Sequence, residues 1–149
     1  MAKRILAPLD QTADAEAALP LVADAARGAG ATVRLLHVAP VPDLRVAAGG
    51  RVIAYADQEM ARLEAEGTDY LRSVEVQLDG IPVECVVRFG DPVPEILAEV
   101  EGFGADLVVL TTTCRSGLGR AMLGSVAEQV FRKAAAPVLL YRLDRTGAA

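Results

Sequence analysis

The segment over residues 111–125 contains the residue types that suit anion binding. It includes Arg115, Gly117 and Gly124, and it leads into a helical pattern that begins at Ser125. Glycine lets backbone N–H groups approach a ligand closely, and the N-terminus of a helix adds positive electrostatic potential. Six basic but only two acidic residues lie from position 111 onward, although the whole chain has a net charge of −5. The segment therefore predicts a phosphate-binding loop, with a solvated basic surface as the alternative.

Five apolar runs alternate with four helical patterns along the chain. The predicted strands cover residues 4–9, 32–38, 83–88, 107–110 and 138–141, and the helices cover about 12–28, 55–78, 91–102 and 125–134. This alternation predicts an α/β fold in which helices cover both faces of a parallel, doubly wound sheet. The first and fourth runs are the most uniformly apolar. They are therefore expected in the middle of the sheet, which gives the strand order 3-2-1-4-5.

The predicted sheet reverses its winding between the first and fourth strands, and open α/β sheets bind ligands outside the carboxyl ends of the strands at such a point. Pro8 and Asp10 follow the first strand, residues 111–125 follow the fourth, and Val38 ends the second. The first helix begins with acidic residues that would repel a phosphate, whereas the last begins at Ser125 after two arginines. We therefore expect a phosphate at the last helix and Asp10 against the neutral part of the ligand. This polarity fits a nucleotide.

Three helix starts have recognisable capping residues. Thr12 and Asp91 each precede a helical pattern, and Ser125 with Glu128 has the spacing of a capping box. Pro20 lies within the first helical pattern, so it should bend that helix or mark a local irregularity.

The composition indicates a single folded domain. The chain has 149 residues, of which 52% are hydrophobic and 23% charged, so it can bury a sizeable core. Within this domain we expect a flexible loop over residues 43–54 and a tail over residues 143–149. Gly67 is expected to weaken the long second helix locally.

Hydropathy and charge restrict the location and the partners. No apolar run approaches the roughly 18–20 residues that a membrane span needs. The N-terminus enters a strand directly and has no apolar leader, which favours a cytoplasmic protein without membrane contact. The net charge of −5 argues against general nucleic-acid binding.

The fifth strand would lie at an edge of the sheet although it is apolar. An unprotected apolar edge is an aggregation hazard unless something pairs with it. A homodimer through residues 138–142, with the strand antiparallel to its copy, would remove this hazard. The alternative is that the C-terminal tail covers the edge.

Residues for catalysis are scarce. No Ser-His-Asp set, metal cluster or P-loop lysine is visible, and His37, the one histidine, is expected to form a local hydrogen bond at a strand end. Cys114 could be a low-pKa thiol beside a helix, or an inert one. A phosphorylated receiver domain would need an acidic residue after the third strand and a lysine after the fifth, but Arg88 and Arg142 lie at those strand ends. We therefore expect binding and signalling, with at most weak ATPase activity.

Several short motifs, in this order, make the chain resemble the universal stress protein family over nearly its whole length. They are Arg4-Ile-Leu-Ala-Pro-Leu-Asp10, Leu35-Leu-His-Val38, Gly90-Asp-Pro92, Gly104-Ala-Asp-Leu107, Gly124-Ser125 and Pro137-Val-Leu-Leu140. The resemblance implies a Rossmann-like fold of the adenine nucleotide alpha hydrolase type, a role in the stress response and a site for ATP or AMP, with Mg²⁺ as a further candidate. It also leaves room for a protein partner of unknown identity.

Nucleotide-binding members of the family have a loop of the form Gly-x2-Gly-x9-Gly-Ser/Thr. The resemblance implies that Asp10 and the backbone at Val38 meet adenine and ribose, while Gly124 and Ser125 meet phosphates. The full set of candidate binding residues is Pro8, Asp10, Val38, Thr111, Cys114, Arg115, Gly117, Gly124, Ser125 and Val126.

The loop departs from the family pattern at its first two glycines, where this chain has Thr111 and Cys114. If position 114 needs a positive φ, cysteine costs roughly 1–2 kcal/mol more than glycine. A lost hydrogen bond to an anion costs about 1.5–3 kcal/mol, which is one to two decades of affinity. The alternatives are therefore an interaction or regulatory module of the same family that binds no nucleotide, and a slow nucleotide hydrolase.

Overall fold

The computed structural model describes residues 2–42, 51–114 and 124–144, and its five strands form one sheet in the order β3-β2-β1-β4-β5. The strands are β1 (Arg4–Pro8), β2 (Thr32–Ala39), β3 (Val83–Phe89), β4 (Leu107–Cys114) and β5 (Val138–Asp144). Every neighbouring pair is parallel. The predicted fold class and strand order are therefore confirmed.

The ladder between β1 and β4 is much shorter than the others. It pairs only Ile5 with Leu107 and Leu6 with Val108, whereas β1 pairs with β2 along its whole length. The sheet is thus joined at the beginning of these two strands and opens between their carboxyl ends. The winding also reverses at this position, so the opening is where such sheets bind ligands.

Within the described residues, five α-helices connect the strands. They are α1 (Ala13–Glu16), α2 (Leu19–Ala29), α3 (Arg51–Glu75), which is followed by a 3₁₀ turn (Val76–Leu78), α4 (Pro92–Phe103) and α5 (Ser125–Lys133). The helix predicted from residue 12 is therefore two helices. Pro20 lies in the first turn of α2, where its missing N–H leaves no hydrogen bond unmade.

Two core layers lie on opposite faces of the sheet, because alternate residues of a strand point to opposite sides. Ile5 and Ala7 of β1 face the layer formed by α2 and α3, and Leu6 faces the layer formed by α4 and α5. Residues 5–7 of β1 and 108–110 of β4 are buried on both faces, which explains why these stretches are uninterruptedly apolar.

Two predicted boundaries need correction. The long helix α3 begins at Arg51, so residues 51–54 of the predicted loop are helical. Strand β5 continues to Asp144, so the first two residues of the predicted tail belong to the sheet. Residues 43–50 and 145–149 lie outside the described part of the chain.

Gly67 has a packing role that the sequence does not reveal. A Cβ atom at this position would lie 3.0 Å from Cγ2 of Val87 and 3.1 Å from Cδ2 of His37. Gly67 is buried, and its missing side chain lets α3 lie close against β2 and β3. The expected local weakness is therefore a point of close contact between helix and sheet.

A buried carboxylate ties α4 to the sheet. Glu99 is only 4% exposed, and its Oε1 and Oε2 accept hydrogen bonds from Arg34 at 2.6 Å and from Arg88 at 2.7 Å. Arg34 lies on β2 with its guanidinium 4.1 Å from the centre of the Phe103 ring, and Arg88 lies on β3 and also binds Glu95 at 2.8 Å. One acidic side chain of α4 thus holds two strands.

Two glycines near α4 should respond oppositely to alanine. Gly90 has φ 138°, and an added Cβ would lie 2.9 Å from Glu95 Oε1, whereas a Cβ at Gly102 meets nothing within 4 Å. We expect Gly90→Ala to lower the free energy of unfolding by about 1–3 kcal/mol because the backbone there is strained for an L residue. Gly102→Ala should raise it by about 0.5–1 kcal/mol, as alanine does within a helix. Urea unfolding measures both, and equal stabilities would contradict this interpretation.

Candidate functional site

A cavity of about 220 Å³ lies in the opening between the carboxyl ends of β1 and β4. Its wall is mostly apolar and is drawn from both core layers. It is lined by Pro8, Leu9, Asp10, Ala15, Leu36, Val38, Pro92, Ile96, Leu110, Thr111, Val126 and Ala127. The structure therefore brings together Pro8, Asp10, Val38, Thr111 and Val126 from the predicted set.

A second recess adjoins this cavity. It has a volume of about 380 Å³ and is formed by the end of β2 and the start of α4. The two share Val38 and Pro92 in their walls, so they lie side by side, and together they are called the groove. Small-molecule sites commonly occupy roughly 300–1,000 Å³, and the groove as a whole falls in this range.

Asp10 is the carboxylate in the wall of the cavity. Its Oδ1 accepts hydrogen bonds from the backbone N–H of Thr12 at 3.0 Å and from the Thr12 hydroxyl at 2.5 Å. The Thr12 Oγ1 in turn accepts the N–H of Ala15 at 3.1 Å, which confirms Thr12 as the cap of α1. The Asp10 side chain is thus exposed to the groove but held in one orientation by its neighbour.

The N-terminus of α5 borders the same cavity through Val126 and Ala127. The capping residue is Gly124 rather than Ser125, and Ser125 is the first helical residue, so the predicted capping box is wrong. Glu128 forms an ion pair with Arg132 at 2.8 Å, one turn further along the helix, instead of reaching back. The first N–H groups of a helix have no partner within it, and here they lie beside exposed Gly124 and Ser125.

Thr112 is a structural residue of the site that the sequence analysis did not single out. Its side chain is 5% exposed, and its Oγ1 accepts a hydrogen bond from the N–H of Gly124 at 3.3 Å. This bond ties the end of β4 to the cap of α5. Thr112 lies on the same face of β4 as the buried Val108 and Leu110, and this position was the available signal, since a buried hydroxyl needs a partner.

Thr112→Val should weaken this tie. We expect it to lower the free energy of unfolding by about 0.5–1.5 kcal/mol because one hydrogen bond is lost at unchanged volume. The melting temperature should fall by about 2–6 °C for a chain of this size. Thr112→Ser keeps the hydroxyl and is the control. Equal melting temperatures for the valine and serine variants would show that the bond is dispensable.

His37 lies on β2, two residues before the end of that strand. Its Nδ1 is 3.0 Å from the carbonyl oxygen of Leu9, and its Nε2 is 3.2 Å from the amide nitrogen of Gln11. The ring also makes an edge contact with Tyr70, at 6.3 Å between ring centres. His37 is therefore hydrogen-bonded at the end of β2 as expected, but its partners lie on the β1–α1 turn, 26 and 28 positions away, and are not local in the sequence.

Tyr70 links this group of residues to α1. Its hydroxyl donates a hydrogen bond to Glu16 Oε2 at 3.1 Å. Burial raises the pKa of Tyr70 well above its ordinary value, and the carboxylate of Glu16 raises it further. The phenol therefore remains a hydrogen-bond donor throughout the physiological pH range.

Three predicted loop residues remain to be placed. Arg115 and Gly117 lie outside the described residues. Cys114 is the last residue of β4 and pairs with Asp144, so its backbone belongs to the sheet.

The described ranges contain neither a candidate metal site nor a candidate membrane-spanning helix. No three histidine, cysteine, aspartate or glutamate residues there are grouped in a way that could hold a metal ion. Among the helices of the described chain, none combines the length and the apolar character that crossing a bilayer requires.

Two relatives from Methanocaldococcus jannaschii show how far the likeness extends. Universal stress protein MJ0577 is 27% identical over 155 residues, which cover 95% of this chain and 96% of that protein. Its solved structure has a TM-score of 0.80 and covers 97% of this chain and 98% of its own. Universal stress protein MJ0531 is 38% identical over 82 residues, and this match spans only 48% of that protein.

A more distant solved structure shares the fold. It is a universal stress protein family protein from Arabidopsis thaliana with AMP bound, at 16% identity, with a TM-score of 0.64 and coverage of 96% of this chain and 93% of that one. The sequence model of the universal stress protein family matches residues 1–142. This chain therefore belongs to the universal stress protein family.

Proposed function

We propose that this protein binds an adenine nucleotide in the groove between β1 and β4 and acts in the stress response by binding and signalling. One arrangement supports the proposal above all. An apolar cavity lies at the reversal of the sheet, with the Asp10 carboxylate in one wall and the first turn of α5 in another. A nucleotide has its groups in the order that matches this cavity: an apolar base, a neutral sugar and an anionic phosphate.

The cavity suggests how the ligand would lie. Leu36, Val38, Ile96 and Leu110 give an apolar surface for adenine. The Asp10 carboxylate can accept hydrogen bonds from ribose hydroxyl groups. The phosphates would then meet the free N–H groups at the start of α5, where the helix dipole favours negative charge. The AMP-bound relative from Arabidopsis thaliana supports adenine as the base. A Mg²⁺ ion would enter with the phosphates, since this ion commonly binds through substrate phosphates and water.

Turnover is not part of the proposal. Fast hydrolysis needs a general base within reach of the attacking water. The chain has one histidine, and both ring nitrogens of His37 are engaged with the β1–α1 turn. Asp10 likewise has one oxygen committed to Thr12. The site is therefore better suited to retaining a nucleotide than to cleaving it.

We place the protein in the cytoplasm as part of the same proposal.

Calorimetric titration with ATP, AMP and GTP tests the proposal. We expect ATP and AMP to bind, and Ala127→Leu to reduce their affinity at least about tenfold because the larger side chain fills the cavity. Ala98→Leu adds the same volume at an exposed position of α4 and should leave affinity unchanged. No heat and no thermal shift at millimolar ATP would reject nucleotide binding. The fold would then be better interpreted as an interaction module for an unidentified protein partner.

We also propose a homodimer through β5. This strand pairs with β4 on one side, and Val138, Leu139 and Leu140 remain only half-buried. Phe131 of the adjoining helix α5 is 54% exposed. Pairing β5 with its copy would satisfy the backbone groups at this edge and cover apolar surface.

Amide hydrogen exchange at two protein concentrations tests the dimer. Exchange in β5 should slow as the concentration rises, whereas exchange in β3, at the other edge of the sheet, should not. Sedimentation should give twice the mass of the chain. A monomer with equal concentration dependence at both edges would contradict the proposal.

A further inference from the structure

His37 contacts the residues on both sides of Asp10. A carbonyl oxygen can only accept, so the 3.0 Å contact with Leu9 places the hydrogen of the imidazole on Nδ1. The neutral ring then has an acceptor at Nε2, which receives an N–H from the Gln11 side chain at 3.2 Å. One imidazole thus holds the backbone before Asp10 and the side chain after it.

The turn that His37 holds has an unusual backbone. Gln11 has φ 68°, and it is the only non-glycine residue with positive φ in the described ranges. A side chain disfavours this left-handed conformation, which persists when surrounding contacts fix it. One such contact lies on the other side of the turn, where the N–H of Leu9 donates to the carbonyl of Leu36 at 2.7 Å.

The imidazole of His37 is itself held in place by a residue of α3. Tyr70 of α3 makes an edge contact with the ring, and its hydroxyl is anchored to Glu16 of α1. Gly67 leaves room for the ring, since a Cβ there would lie 3.1 Å from its Cδ2. The ring is thus held between Tyr70 and the turn to which it is hydrogen-bonded, so it can support that turn.

We propose that His37 is a positioning residue that holds the Leu9–Gln11 turn so that Asp10 presents its carboxylate to the sugar hydroxyls. The proposal rests on nucleotide binding in the groove and adds a determinant of specificity. His37 sets the preference for ribose over sugars that lack the hydroxyls, although it does not touch the ligand. A histidine at the end of β2 thereby connects the α3 layer to the binding groove.

The decisive measurement is the ratio of affinities for ATP and 2′,3′-dideoxy-ATP. The wild-type protein should prefer ATP by about tenfold or more, because hydrogen bonds to a carboxylate are strong. His37→Leu removes both ring bonds and should reduce this preference below about threefold, with little change in the affinity for the dideoxy compound. His37→Asn keeps a donor near the position of Nδ1 and should restore part of the preference. Asp10→Ala should abolish the preference, and adding His37→Leu to it should change nothing further.

Hydrogen exchange of the protein alone separates this proposal from nucleotide binding. The N–H of Thr12 is bonded to Asp10, so its exchange reports whether the turn is held. His37→Leu should speed exchange at Thr12 by about tenfold while exchange at Leu35, in the core of β2, stays unchanged. If no nucleotide binds, this result alone decides the role of His37. Unchanged exchange at Thr12, or a preference for ribose that survives His37→Leu, would overturn the proposal.

Discussion

Replacing Glu99 with glutamine is expected to lower the free energy of unfolding by about 2–4 kcal/mol, because a buried ion pair loses one partner. The side chain of Glu99 is 5% exposed and it binds Arg34 and Arg88 through separate oxygens. Glutamine can accept one of these bonds but turns N–H groups toward the other guanidinium. The two arginines would then lie close together on one face of the sheet without a charge between them.

The loss of stability in Glu99→Gln is limited because each arginine keeps a second carboxylate partner. Arg34 keeps its contact with Glu84 at 2.5 Å, and Arg88 keeps Glu95. In the intact protein burial lowers the pKa of the Arg34 guanidinium, but its bonds to Glu84 and Glu99 raise it above the ordinary value, and bonds to Glu95 and Glu99 raise the pKa of Arg88. An arginine also stays charged without Glu99, because its ordinary pKa lies far above neutral pH. Arg88 is also one-third exposed and can be partly solvated, which reduces the loss below that of a fully buried pair.

Urea unfolding and the melting temperature test this prediction. A loss of this size corresponds to a fall of roughly 5–15 °C for a chain of about this length. Glu101→Gln makes the same change at an exposed position of the same helix and should stay within about 0.5 kcal/mol of wild type. If both variants are equally stable, the buried carboxylate does not hold α4 to the sheet.

Restoring glycine at Thr111 and Cys114 is expected to raise the affinity for ATP by about ten- to a hundredfold, the equivalent of one strong hydrogen bond to an anion. The Thr111 side chain lines the cavity and would leave it. Glycine at position 114 would free the end of β4 to turn earlier and bring its N–H groups toward the phosphates.

The control for the restored loop is Thr113→Gly. It introduces the same flexibility between the two positions but does not recreate the family spacing. Calorimetry should show a gain in the double glycine variant and none in this control. Equal ATP affinities of the wild type, the double glycine variant and Thr113→Gly would mean that Thr111 and Cys114 do not limit nucleotide binding. Glycine within a strand costs about 0.5–1 kcal/mol of stability, so melting temperatures should be compared alongside.

The strand order could be predicted because apolar runs record burial. Residues 5–8 of β1 and residues 107–110 of β4 form continuous apolar runs, and strands buried on both faces have this character. Thr12 was identified for a related reason, since a hydroxyl just before a helix has a donor within reach in the helix itself. In these cases the deciding contacts are local or depend only on hydrophobicity.

The features that escaped prediction depend on contacts between distant segments. Glu99 meets Arg34 across 65 positions, and nothing in the apolar helix around it indicates a partner. The cap of α5 was misplaced by one residue because the Ser-x-x-Glu spacing fits a capping box, yet Glu128 is satisfied by Arg132 instead. His37 was expected to bond locally, but that it holds both neighbours of Asp10 could be seen only once β1 and β2 were side by side.

The short ladder between β1 and β4 has a mechanical consequence. It divides the sheet into a three-stranded and a two-stranded part. The two parts are joined only near the amino ends of β1 and β4, where Ile5 and Leu6 pair with Leu107 and Val108. A molecule bound at the open end would contact both parts and form a second connection between them. Its stabilising effect would grow with the logarithm of its concentration once that exceeds the dissociation constant. If that molecule is a nucleotide, the rigidity of the β1–β4 junction would then depend on the nucleotide concentration in the cell, even without a change of conformation.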